Sequence, residues 1–219
     1  MRILIGMMAS SIALTGCSYS SHGPAENRSV ERSGMVASGD VDATGSAEFS
    51  GMIVSAGGNV ERNLDLAGAM VSSNAHVGGN LSAAGARVRF TGRVGGNTDV
   101  EAATAYLDGD FTGNVSIVGA RLTIDGDIHG SLFANGAHIQ LAGRFAEPVE
   151  VIGEGNRRNG RAIISGELQQ GGLICASHVE FASDARVAGD LTVISNERPD
   201  ASGHEFNYEA LAGRDCDQL

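Results

Sequence analysis

The chain repeats itself every 17 residues. Asparagine stands at positions 63, 80, 97 and 114, and the next step reaches Ser131. In step with it run apolar columns: Leu66, Ala83, Val100, Ile117 and Ala134; Val71, Val88, Ala105, Leu122 and Ile139; Val77, Val94, Phe111, Ile128 and Phe145. A glycine column, Gly92, Gly109, Gly126 and Gly143, marks a bend, and no insertion is needed from residue 62 to residue 146. The register continues through Ala47, Phe49 and Val54 on one side and Val149, Ile164, Ile174 and Val193 on the other. This extension has small irregularities and is interrupted by the loop EGNRRNG at 154–160; the repeat covers residues 34–194, roughly nine turns.

Within a turn the apolar positions fall at 0 and 2, then 7 and 9, then 13. A step of two places both side chains on one face of a strand. Glycine, asparagine or alanine fills the gaps, where the chain must bend. The composition agrees: 32 glycines, only 3 prolines and 5% aromatics suit many short strands and tight corners. Three short strands and three corners per turn predict an all-β, parallel β-helix (β-solenoid) with three flat faces. A single turn buries about five apolar side chains, worth ~1.5–3 kcal/mol each. Ordering its backbone costs ~1–2 kcal/mol per residue. No turn is stable alone, and stacking is obligatory.

The corners are unequal, with apolar steps of 7, 6 and 4, which disfavours the hexapeptide-repeat acyltransferases. Runs such as GNVSIVGARLTIDGDIHGSL (113–132) and ARVAGDLTV (185–193) resemble the bactofilins, bacterial polymer-forming cytoskeletal proteins. The resemblance spans about 160 of the 219 residues. It implies a right-handed, triangular β-helix, no cofactor, and self-association through the ends of the rod. The chain departs from many bactofilins in carrying an export signal and in its 154–160 interruption.

That signal is a short basic start, Met1-Arg2, followed by an apolar run from Ile3 to Leu14 that is too short to span a bilayer. It ends in Leu14-Thr15-Gly16-Cys17, which resembles the lipobox of bacterial lipoproteins. The resemblance implies removal of residues 1–16 and acylation (palmitate among the acyl groups) of Cys17. Ser18 rather than aspartate follows, which implies sorting to the periplasmic face of the outer membrane. Residues 17–33 read as the lipidated cysteine and a flexible polar tether. Residues 195–219 read as a polar tail in which Phe206, Tyr208 and Leu211 supply enough apolar surface for a cap. Cys175 and Cys216 could pair in an oxidising compartment. Two cysteines make no framework, however, and Cys216 sits in the polar tail, so the reading does not rely on a bridge.

Candidate sites are few. The net charge of −11 argues against a nucleic-acid partner. The VGGN corners lack the helix N-terminus or lysine that a phosphate loop needs. The column Asn63, Asn80, Asn97, Asn114 predicts a structural ladder of amide hydrogen bonds between stacked turns. Two DGD triplets, 108–110 and 125–127, should stack and gather four carboxylates at one corner. Arg93 and Arg144 flank Asp110 and Asp127 in their column, leaving Asp108 and Asp125 as weak Ca²⁺ candidates. Arg157, Arg158 and Arg161 make the 154–160 loop a basic spot able to meet an anionic polymer such as cell-wall polysaccharide, or another subunit. The histidines make no metal-ligand spacing, and no nucleophile elbow appears. The expectation is a non-enzymatic, lipid-anchored scaffold that associates with itself. The alternatives are an exported carbohydrate-active enzyme built on the Asp108/Asp110/Asp125/Asp127 corner, and a cell-wall-binding or adhesin module.

Overall fold

The computed structural model describes residues 18–22 (backbone only), 28–153, 160–200, 203, 205–212 and 216. They form an all-β solenoid of about 10 turns with 17-residue spacing. β1 (Ser18–His22) is followed by the long strands β2 (Ser29–Ala43) and β3 (Ala47–Val60). The next coil is split into β4 (Leu64–Ser73) and β5 (His76–Val77). β6 (Leu81–Val94), β7 (Thr98–Phe111), β8 (Val115–Ile128) and β9 (Leu132–Phe145) then stack in parallel, each residue opposite the one 17 later.

These strands run for 14 residues each, where three short strands per turn were expected. Each strand runs on around two of the corners, its pairing skipping one or two residues at the first, as at Ala86 and Ala103, and it ends only at the third, between Val94 and Thr98 for example. Small residues at the bends let it do so. Gly143 shows why: its φ is +96°, and a Cβ there would lie 2.2 Å from the Gly126 carbonyl oxygen one coil below.

Three faces are nonetheless real. The coil above β9 meets it with three separate strands, β10 (Val149–Gly153), β11 (Arg161–Ile164) and β12 (Glu167–Leu168). We number the faces one to three in that order. The partner offset changes from 17 for Val149↔Leu132 to 23 for Arg161↔His138, so the 154–160 insertion sits at the corner between faces one and two. Face one continues through β13 (Gly171–Cys175), β16 (Asp190–Ser195) and β17 (Asn207–Ala210). Faces two and three finish with β14 (His178–Phe181) and β15 (Arg186–Val187).

The core is the set of apolar columns read from the repeat, and in several coils its volumes compensate. Large faces small in Phe49 with Ala56 and Leu66 with Ser73, and the order reverses in Ala83 with Phe90 and Ala134 with Leu141. The Val115–Ile128 coil departs from this, with Ile117 and Ile124 both large and fully buried. Phe49, Phe90, Phe111 and Phe145 are fully buried, with the Phe90 and Phe111 rings 6.0 Å apart. One position violates the pattern. Thr98 is 1% exposed in a column otherwise held by Leu64, Leu81, Val115 and Leu132, and its hydroxyl has no hydrogen-bond partner. Thr98→Val keeps the shape and removes the unpaired group, so it is expected to raise stability by about 1 kcal/mol in chemical denaturation.

The N-terminal end of the rod differs from the sequence expectation. The first coil starts at Ser29 rather than Gly34, because Val30 is buried and pairs with Ala47. The segment expected to be a tether includes β1, which pairs antiparallel with β2 from Ser18↔Ser33 to His22↔Ser29. The core of the first coil is covered as well. Arg32 takes the core position held by Phe49 one coil later, and its guanidinium lies 5.6 Å from the Phe49 ring centroid while donating to the Ser38 carbonyl. Gly39 supplies the room: a Cβ there would meet the Arg32 guanidinium at 1.7 Å. The large-against-small pairing of Phe49 with Ala56 thus recurs in the first coil, with arginine as the large member.

At the other end the tail folds back. β17 extends face one beside β16, Phe206 stacks on Phe181 with ring centroids 5.7 Å apart, and the Tyr208 hydroxyl donates to the Ser195 carbonyl. Cys175 and Cys216 are joined in a disulfide and, with Ile194 and Leu211, form a second small apolar cluster outside the main core. The bridge that the sequence reading did not rely on is therefore present.

Candidate functional site

The asparagine ladder forms, but not between side chains. Each Asn Oδ1 accepts from a backbone N–H on the next coil: Asn63 from Asn80, Asn80 from Asn97, Asn97 from Asn114, and Asn114 from Ser131, at 2.9–3.1 Å. These residues stand at the corner where the backbone ladder breaks, so the side chain replaces the missing acceptor. The column ends for a reason. The next position is Pro148, which has no N–H to satisfy, and Ser131 is enough there. The column is structural. Asn97→Ala leaves the Asn114 N–H to water and is expected to cost about 0.5–1.5 kcal/mol in chemical denaturation.

The two DGD triplets stack as expected, Asp108 against Asp125 and Asp110 against Asp127. Arginines bracket the outer column. Arg93 lies 3.7 Å from Asp110 and Arg144 3.7 Å from Asp127, while Arg144 also reaches Glu167 and His129 lies 3.2 Å from Asp110. The depression at this corner, about 430 Å³, is therefore lined by both signs of charge. The inner pair, Asp108 and Asp125, has a different neighbour: the Tyr106 hydroxyl donates to Asp108 across 3.4 Å. Among the described residues no group of three or more acidic, histidine or cysteine side chains could hold a metal ion, and Asp108 and Asp125 supply only two.

Desolvation, followed by the charges of Asp108 and Asp125, raises the Tyr106 phenol above its ordinary value. Asp108→Asn is expected to bring that value down, as read by NMR titration of the Tyr106 ring carbons. Because the folded phenol keeps its proton to higher pH than the unfolded one, this group's contribution to stability fades as pH rises past the ordinary tyrosine range.

Of the basic loop, Arg157 and Arg158 lie outside the described residues. Arg161 opens β11 and pairs with Glu180 on the coil above. Cys17 also lies outside the described residues. Its neighbour Ser18 pairs with Ser33 in the first coil.

Sequence reasoning missed two features: Arg32 over the first coil, and the sorting of charge between the faces. The outward positions of face one carry Glu31, Glu48, Asp65, Asp99 and Glu150, and those of face three carry Asp40, Asp42 and the DGD triplets. Face two, from Met35 to Gln140, presents no carboxylate at its outward positions. The signal was available, since residues 17 apart share a column, but it appears only when the polar columns are followed like the apolar ones.

Fold and surface together define a β-solenoid with a closed core, and the fold alone assigns it no chemistry. No family model matches the chain, and neither a curated protein nor a solved structure does.

Proposed function

We propose that the protein is a non-enzymatic scaffold of the bactofilin-like kind, held through acylated Cys17 at the periplasmic face of the outer membrane and associating with itself through the ends of its rod. The observation that carries this reading is the state of those ends. At the N-terminal end β1 covers face one, while residues 37–43 of β2 have no strand before them among the described residues. At the other end β17 covers face one, while β14 and β15 have no strand beyond them among the described residues. Unpaired strand edges are templates for further pairing.

Both ends step outward on the same face, which constrains the geometry. Beyond the coil of β14 and β15, face one carries both β16 and β17, so head-on stacking in which β1 meets β17 would hold faces two and three apart by about four strand spacings, roughly 19 Å. Association through the open edges therefore requires the tail or β1 to yield, or the rods to meet offset. Residues 18–219 hold every described strand and core residue and so carry the whole fold. Sedimentation and electron microscopy of that fragment are expected to show concentration-dependent oligomers or filaments. A strict monomer at high concentration would remove self-association from the account. At the Asp108–Asp127 corner the outer carboxylates are paired, Asp110 with Arg93 and Asp127 with Arg144, and no separate observation favours the carbohydrate-active alternative.

A further inference from the structure

Face two is sorted along its length. Its first three coils expose Met35, Met52, Ile53 and Met70 at 67%, 61%, 41% and 46%, beside a half-exposed Val36. These residues lie in neighbouring columns on coils that pair directly, Val36↔Ile53↔Met70. They form a continuous apolar patch rather than scattered side chains, and such a patch marks a contact surface. The Met70 column then turns basic, running Arg87, Thr104, Arg121, His138 and Arg161, with Arg89 one column over. Arg87, Arg89 and Arg121 are exposed, and among the described residues none of the three has a carboxylate partner. A hollow of about 180 Å³ opens between Arg121, His138 and Arg161.

We infer that face two is a membrane-contact surface. Its methionine and isoleucine patch enters the interfacial region of a bilayer, and its arginine stripe lies on anionic phosphate headgroups. Two independent observations select a lipid surface over a second copy of the chain. The first is position. Ser18 pairs with Ser33, two residues before Met35, so a lipid on Cys17 would enter the membrane at the edge of the patch. The second is charge. On a chain of net charge −11, the apolar patch and the arginines Arg87, Arg89 and Arg121 share a stretch of one face, Met35 to Gln140, that has no outward carboxylate, while carboxylates line the other two faces over the same coils. Among the described residues the first carboxylate on face two is Glu180, beyond that stretch and paired with Arg161. Apolar side chains next to arginines suit a surface of acyl chains below phosphates. The first three coils of a second copy would offer the arginines no anionic complement on the same face. The rod then lies along the bilayer, with its acidic faces turned to the periplasm. This orientation and the argument from position rest on the lipid-anchor reading; the argument from charge does not.

The test uses residues 18–219, which lack the acylated cysteine, so binding cannot come from the anchor. Vesicles containing about one third phosphatidylglycerol are expected to sediment the protein at low salt, and neutral phosphatidylcholine vesicles are not. Replacing Arg87, Arg89 and Arg121 together by glutamine is expected to weaken binding at least about tenfold. The chain has no tryptophan, so a single one reports its own depth. Met52→Trp on face two is expected to shift to the blue and be quenched by brominated lipid, and Glu48→Trp on face one is not. Equal quenching at both positions, or no binding to anionic vesicles, would overturn the inference. So would a dimer that forms without lipid and is abolished by Met52→Asp, since the patch would then belong to a second copy. Vesicle binding by a chain whose Cys17 proves unacylated would uphold this inference while removing the anchor.

Discussion

Phe111→Ala is expected to lower the stability of the rod by about 3–5 kcal/mol, the range for truncating a fully buried phenylalanine. Phe111 is completely buried, lies against Phe90 in the coil below, and has Ile128 above it in the same column. The coils on either side are held in register by continuous ladders and cannot collapse into the void, so the cost belongs at the upper end. In a stacked array each coil is stabilised mainly by its neighbours. A defect in this central coil should therefore weaken both halves, and the guanidinium midpoint followed by circular dichroism should fall in a single step. A change below about 1 kcal/mol, or loss of one half alone, would contradict a shared continuous core.

Cys216→Ser is expected to release the tail. The disulfide to Cys175 closes a separation of 41 residues and anchors a segment whose own contacts are few: β17 against β16, Phe206 on Phe181, and Leu211 in the small second cluster. Closing a loop of that size is worth about 2–4 kcal/mol. Reducing the wild-type protein should lower its unfolding midpoint correspondingly, and should open the connection between β16 and β17 to protease. Reductant should change nothing in the variant. If reduced and oxidised wild type unfold alike, the tail is held by its contacts and the bridge is incidental. A bridge of this kind fits an oxidising compartment, in keeping with the proposed export.

The contrast between these two sites shows what a repeating sequence discloses. Phe111 could be placed in the core before any coordinates because Val77, Val94, Ile128 and Phe145 share its column; each column is a set of repeated measurements of one environment. The tail and the first coil offer no such averaging. Arg32 looks like a solvated charge until it is seen to occupy the column of Phe49 and Leu66, opposite a glycine that makes room for it. β1 and β17 are short, polar segments whose pairing depends on a neighbouring edge, and neither carries a period. The asparagine column was legible as a ladder but not as one that reaches the backbone, because that choice follows from where the strand ladder breaks. The strands were expected to be short because corner residues are small, yet small residues are what allow each strand to run on around two of the corners. Face two was overlooked because apolar periodicity was sought for burial, and Met35, Met52 and Met70 sit on the outside.

The central claim is a rod tethered to a membrane by its first coil, and mass spectrometry of the full chain recovered from the membranes of a bacterial host tests it most directly. The account predicts an N-terminal peptide that begins at Cys17, carries acyl groups on that residue, and is replaced by unprocessed, unacylated chain in a Cys17→Ser variant. An unmodified Cys17 within a longer or differently cut N-terminus would contradict it.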